Sequence, residues 1–355
     1  MGARLAQGAG HDTNAVGRRE AGITKMEETR MFRIFLHAIC CVVFAAHMAL
    51  AVSADPWPSN VIKLVVTFPP GGATDITARL IAEKLRPDLG QSVIVDNRPG
   101  AGGNIGADFV AKAPPDGYTL LMATSSHVTN RTLYKNLPYD FVQDLAPVSR
   151  IAFIPNMLVV NPATIRVGNL VEFIKYVKDT SGKSRLNYGT GGSGTSHHLS
   201  TALFNNMVGV DMEHVPYKGG APAVTAILSG QIQVLFAPLV EVLAFVESGK
   251  LKGLGVTTRQ RSSLFPDIPA IGEVLPGYEV ALWNGIVIPA NTPAEIVNKL
   301  NNAIVKALNQ ADIKQRLAEQ GSDPAGNSPA EFRQFIAAEV EKWGMLVRIS
   351  GAKVE

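Results

Sequence analysis

Thr67-Phe68-Pro69-Pro70-Gly71-Gly72-Ala73-Thr74-Asp75 follows an apolar run, Ile62 to Val66, and precedes a helical pattern beginning at Ile76. Together these residues read as a strand, a glycine turn and a helix start. Such a junction leaves the first backbone N–H groups of the helix without intrahelical partners, directed into the loop, where they can receive an oxygen-rich, negatively charged ligand. The same grammar recurs at Arg98-Pro99-Gly100-Ala101-Gly102-Gly103-Asn104-Ile105-Gly106, at Gly189-Thr190-Gly191-Gly192-Ser193-Gly194-Thr195-Ser196 and at Tyr217-Lys218-Gly219-Gly220-Ala221-Pro222. Four glycine elbows predict one anion-accepting cleft.

Outward from the first elbow, strands and helices alternate, which predicts an α/β fold with largely parallel sheets. The first helix repeats apolar residues at Ile76, Leu80, Ile81 and Leu85 before Pro87 ends it. Ser92 to Asp96 is a second strand, Ile105, Phe109, Val110 and Ala113 share a helix face, and Tyr118 to Ala123 is a third strand. From Ile151 the pattern restarts, with a strand at Met157 to Val160 and further units ending near Thr257; one of their helices carries Pro222 at its first position. Two capping boxes, each with proline at the first helical position, mark the C-terminal helices: Thr292-Pro293-Ala294-Glu295 and Ser328-Pro329-Ala330-Glu331.

The front of the chain has a different character. Ile34 to Leu50 is apolar apart from His37 and His47, follows Arg30 and Arg33, and ends in small residues. That is the pattern of a secretory signal peptide, with cleavage after Ala51 or Ala54. An uncleaved anchor is the second reading, because the run is nearly long enough to span a bilayer. Met26 and Met31 are alternative starts to Met1, so residues 1–54 are set apart from the fold. Both cysteines, Cys40 and Cys41, fall inside this segment, which excludes disulfides and thiol chemistry from the remainder. Removing the segment takes away six basic and four acidic residues and lowers the formal net charge from +3 to +1. There is no basic field for nucleic acid.

Several constellations have a functional and a bland reading. Gly189-x-Gly191-x-x-Gly194, with Asp211 further on, matches the dinucleotide fingerprint, but the polar segment before it is a poor first strand. His197 and His198 belong to the first turn of a helix, facing the cleft or capping locally, rather than to a metal site. Asp75 sits where an N-cap is expected and braces the loop. Thr124-Ser125-Ser126, and Ser193, Thr195 and Ser196, supply at strand ends the short hydroxyls that a carboxylate needs beside free N–H groups; ordinary N-capping is the bland reading, and the two are compatible. Lys218 either balances ligand charge or lies on the rim.

At these residues the chain resembles the Bug family of periplasmic solute receptors of tripartite tricarboxylate transporters. Phe68 to Asp75, Asn97 to Gly103, Ala113 to Leu120, Val215 to Gly219 and Pro276 to Glu279 look like that family's signatures, in its order. The resemblance runs from Trp57 to the C-terminus. It implies a two-lobed periplasmic-binding-protein-like fold that closes about a hinge on a ligand cleft between the lobes. Residues 55–155 plus 281–355 would form lobe 1, and 156–280 lobe 2. It further implies a carboxylate ligand, the transporter's membrane subunits as partner, a periplasmic location, no enzymatic activity, no cofactor or metal, and a monomer. Carried onto this chain, the ligand contacts are Phe68, Gly71, Gly72, Gly103, Asn104, Thr124, Ser125, Ser126, Gly194, Thr195, Ser196 and Tyr217. Two departures stand out: Pro70, which tightens the pocket floor, and His127 as an extra histidine near the cleft. A sensing receptor for a signalling partner, or an NAD-dependent enzyme using Gly189 to Gly194, are the rival readings.

Overall fold

The computed structural model describes residues 57–182 and 184–353, together with Arg30, Met31, Arg33, Phe35, Leu36 and His37. The chain divides into Met1–Pro56 and Trp57–Glu355. In the first unit the six named residues are helical; the two cleavage positions lie outside the described residues. No helix among the described residues is long and apolar enough to cross a membrane.

In the second unit, β1 (Ile62–Val66) is the buried strand that the apolar run predicts. It lies between β2 (Val93–Asn97) and β3 (Thr119–Thr124), parallel to both. Helices α1 (Ala73–Leu89) and α2 (Asn104–Ala111) make the crossovers, and α3 (Ser125–Leu133) follows β3 directly. The second half repeats the arrangement: β5 (Asn187–Thr190) lies between β6 (Glu213–Pro216) and β7 (Val234–Pro238), parallel to both. Its helices are α4 (Leu170–Thr180), α5 (Ser196–Val208), α6 (Gly220–Leu228) and α7 (Leu239–Glu247), and β8 (Lys252–Val256) completes it.

The largely parallel sheet expected from the alternation needs correcting, because the halves are joined through antiparallel strands. The 16-residue β4 (Leu145–Val160) runs antiparallel to β9 (Ala281–Pro289) as far as Pro155, then from Asn156 onward runs antiparallel to β7, with β8 also pairing it from Met157. β9 in turn runs antiparallel to β3. The change of partner falls beside Pro155, a residue with no N–H to contribute to a ladder. Asn156, fully buried, secures the junction: its Nδ2 donates to Ser200 Oγ at 3.0 Å, and its backbone N–H donates to Thr257 Oγ1 at 3.1 Å.

The C-terminal α8 (Ala294–Leu308), α9 (Ala311–Glu319) and α10 (Pro329–Ser350), with the short β10 (Asp323–Pro324) on β4, return the chain to the first half. Ser328 caps α10 with the reciprocal Glu331 bond and Pro329 at its first position, as the sequence predicts. The box at Thr292 does not form: the helix starts one residue later, after Pro293, and Thr292 Oγ1 donates to the Pro289 carbonyl. Other local expectations shift as well. Pro87 lies inside α1, which continues to Leu89; Pro222 is the third residue of α6, which begins at Gly220; and Ile105 and Phe109 are exposed, Phe109 lying under the Arg98 guanidinium at 3.6 Å.

Candidate ligand-binding cleft

Five helices point their N-termini at one cavity. Gly72 to Thr74 open α1, Thr124 to Ser126 open α3, Thr195 to His197 open α5, Gly220 and Ala221 open α6, and Pro238 precedes α7; each group contributes to the lining. Every one of these helices has nine or more residues, enough for its aligned peptides to give the N-terminus a partial positive charge. α3 is capped by its own N-cap residue, Thr124 Oγ1 accepting from the Ser126 N–H; the N-cap residues of α1, α5, α6 and α7 make no such bond, although the first N–H of α1 is taken by Glu241. Uncapped first turns are what an anion requires.

Phe68, Pro69, Pro70 and Leu282 supply apolar wall. The cavity is small, with a volume of about 30 Å³. Beyond the Phe68–Pro69 wall lies a wider outer cavity of about 510 Å³ that shares Gly191 with the inner one and is bordered by Gly100 to Gly103, Tyr217 and Lys218. Lys218 is exposed there, on the rim.

Of the residues expected at the ligand, Phe68, Gly72, Thr124, Ser126, Thr195 and Ser196 meet at the inner cavity, while Gly103 and Tyr217 border the outer one with Phe68. Gly71, Asn104, Ser125 and Gly194 line neither. The Gly71 N–H donates to Asp75 Oδ2 at 3.0 Å. Asn104 Oδ1 accepts from Asn130 Nδ2 and from the Tyr139 hydroxyl, both at 2.9 Å. Ser125 is fully buried, its carbonyl accepting from Thr129 Oγ1, and the Gly194 N–H donates to His198 Nδ1 at 3.2 Å.

Asp75 is not the N-cap of α1; Gly72 is. At the third helical position Asp75 accepts from the Gly71 N–H, from Asn97 Nδ2 at 2.9 Å and from Arg79 through two nitrogens at 2.9 Å, which ties the elbow to β2. Burial would raise its pKa, but these hydrogen bonds and the Arg79 charge outweigh that and hold it below the usual carboxylate value. His127 is likewise not a cleft residue. It is fully buried, stacks on Phe141 at 5.5 Å and accepts the Thr124 N–H on Nδ1; burial pushes its pKa down to about 4 against the raising effect of backbone bonds to Thr124 and Gly103.

The two neighbouring histidines divide the roles expected of them. His198 accepts the Gly194 N–H and stacks on His214 at 4.4 Å, and burial, then the nearby His214, lower its pKa to about 3. His197 lines the cleft, its Nε2 3.2 Å from Glu241 Oε2. Glu241, in the first turn of α7, is the cleft residue that sequence reasoning misses: its Oε1 accepts the Ala73 N–H of α1 at 2.8 Å, 168 positions away. No local pattern announces it, since Leu239-Val240-Glu241-Val242 reads as an ordinary amphipathic turn. The glycines of the dinucleotide fingerprint have packing roles: a Cβ on Gly189 would overlap Ile232, and one on Gly191 would meet the Gly219–Gly220 backbone. Asp211 lies exposed at the far edge, paired with Arg185 at 3.1 Å. Among the described residues no group of three histidine, cysteine or acidic side chains could hold a metal ion.

Paired α/β halves, antiparallel crossing strands and a cleft ringed by helix N-termini define the two-lobed fold of periplasmic binding proteins, which solved structures share with this chain. Residues 77–351 match the tripartite tricarboxylate transporter family receptors (TctC), and the chain belongs to that family. It is similar to the protein BugT of Bordetella pertussis, with 36% identity over 333 residues that cover 93% of this chain and all of BugT. A structure of an R. palustris protein with adipate superposes with a TM-score of 0.81 at 38% identity, covering 84% of this chain and all of that one. MatC from Rhodopseudomonas palustris with bound malate gives 0.77 at 33% identity, covering 82% and 100%.

Proposed function

We propose that this protein is a periplasmic receptor that captures a small organic carboxylate between two lobes and presents it to the membrane subunits of a tripartite tricarboxylate-type transporter. The observation that carries this reading is the convergence of five helix N-termini, three of them (α5, α6 and α7) without a side-chain cap, on one cavity with short hydroxyls among its lining. Backbone N–H groups and the hydroxyls replace the hydration of a carboxylate, and no counter-ion has to be supplied. Relatives solved with adipate and with malate support the chemical class. The secretory pattern at Ile34 to Leu50 supports the compartment.

In this reading lobe 1 comprises residues 55–155 and 281–355, lobe 2 comprises 156–280, and the β4–β9 crossing acts as the hinge. The ligand enters an open form, and closure is selected because only the closed form lets both lobes touch it. The inner residues Phe68, Gly72, Thr124, Ser126, Thr195 and Ser196 receive the carboxylate, while Gly103 and Tyr217 read the outer part of the ligand.

The test is calorimetric and thermal titration of the purified protein with mono-, di- and tricarboxylates, aromatic acids, amino acids and NAD. A ligand at 100 times its Kd adds about 2.7 kcal/mol of stability. Stabilisation by one class of carboxylate supports the receptor; stabilisation by NAD alone would replace it with an enzyme.

A further inference from the structure

Within the cleft one group has the wrong sign for a site that attracts only anions. The Glu241 side chain is 5% exposed and that of His197 6%. Glu241 Oε1 is bonded to the first N–H of α1, and Oε2 approaches His197 Nε2. Space for this carboxylate is cleared by Gly220, where any Cβ would collide with it. Glu241 and His197 are the titratable residues among the described residues lining the cavity, and no lysine or arginine is among them.

The chain thus supplies one carboxylate to its own anion cradle. Two hydrogen-bonding contacts leave part of the acceptor capacity of a carboxylate unused. Because Glu241 lines the same cavity as Thr124, Ser126, Thr195 and Ser196, a ligand carboxylate seated on those hydroxyls is placed close to it. Like charges at that separation, screened by little water, repel, whereas a cationic nitrogen on the ligand meets its counter-charge.

We infer that Glu241 sets the specificity of the cleft, and that the ligand is a small amino carboxylate whose ammonium group faces Glu241 while its carboxylate faces the helix N-termini. This inference rests on the receptor reading above. The surplus donors of the cleft and its single acidic side chain are together complementary to a zwitterion.

The experiment compares acids matched in skeleton at pH 8, where an ordinary histidine is neutral: β-alanine against succinate, 4-aminobutyrate against glutarate, and alanine against methylmalonate. Isothermal titration of the wild-type protein is expected to show the amino member of at least one pair binding tenfold or more tighter than its diacid. Glu241→Gln, which keeps the shape and removes the charge, is expected to weaken the amino member tenfold or more and to strengthen the diacid. The inference is overturned if the wild type prefers the diacid or fails to discriminate, or if Glu241→Gln leaves the ratio unchanged. The wild-type ratio decides the ligand class even if the Gln variant does not fold, and Glu241→Asp, which retains the charge, is expected to retain the preference. Binding of diacids alone would leave the receptor reading standing; absence of binding by every acid would overturn both.

Discussion

Two buried histidines make the stability of this protein depend on pH in a defined direction. His127 is held neutral down to about pH 4 and His198 to about pH 3, chiefly by burial. An unfolded chain protonates both near pH 6.5. Between these values the unfolded state binds more protons than the folded one, so stability falls as pH drops from about 6.5 towards 4. For His127 the loss across that window is about 3 kcal/mol. Urea titrations at stepped pH check this, and His127→Gln should flatten the slope. Asp75 has the opposite sign of charge but the same outcome: its lowered pKa gives stability that is present above the ordinary carboxylate value and lost as pH falls below it. Asp75→Ala removes the acceptor for Gly71, Asn97 and Arg79, and is expected to cost about 2 kcal/mol, measured by urea denaturation. At this scale the sequence was only partly legible. Asp75 was visible as a brace because it sits beside its own turn, but its bond to Asn97 on β2 moved it from cap to clamp. Glu241 was invisible because its partners, Ala73 and His197, come from other helices and nothing in a run of apolar residues marks the direction of one side chain.

Among the elements, the β-α elbows were legible because strand, glycine and first helical turn are encoded within about a dozen consecutive residues. β4 was not. Its first half mixes Ser149 and Arg150 with prolines, and its register on β9 shifts after Pro147 and again after Arg150, so no alternation of period two survives. Only its last residues, Met157 to Val160, buried on both faces, read as a strand. α3 was legible only at its start: Thr124, Ser125 and Ser126 read as strand-end hydroxyls or N-caps, and Thr124 does cap the helix, but the nine residues behind it carry buried polar side chains, Thr129 and Asn130, in place of an apolar stripe. Docking of α10 depends on one glycine of β9, since Gly285 faces Phe332 and a Cβ there would overlap the ring. Gly285→Ala is therefore expected to destabilise the protein by about 2 kcal/mol, seen as a lowered urea midpoint. The same surface is fixed by Glu339, whose Oε2 accepts from both the Trp283 and Trp343 indoles, at 2.8 and 2.5 Å.

Over the whole molecule, the two lobes meet through glycines. A Cβ on Gly219 would come within 2.8 Å of Pro69 Cδ, and one on Gly102 within 2.8 Å of the Ser193 carbonyl, each contact crossing the cleft. Gly219 also holds φ at +126°, a region that costs any other residue strain. Gly219→Ala is expected to prop the cleft open and to weaken ligand binding tenfold or more. The check is calorimetry together with small-angle scattering, in which the contraction expected of the wild type on adding ligand should be reduced. A receptor with two halves, each carrying its own glycine elbows, was legible from the repeat of strand-turn-helix units. How the halves join was not, because strand pairing between β4 and β9 is a long-range property.

On the proposed reading, the attraction of this cleft for acids resides mainly in peptide groups at the starts of five helices, and no single side-chain replacement deletes a peptide dipole. Mutation can therefore exchange the lining residues, Glu241 among them, and redirect the receptor from one acid to another without a non-binding intermediate. Such a scaffold can diversify its cargo through a series of small steps, each of which still holds a carboxylate.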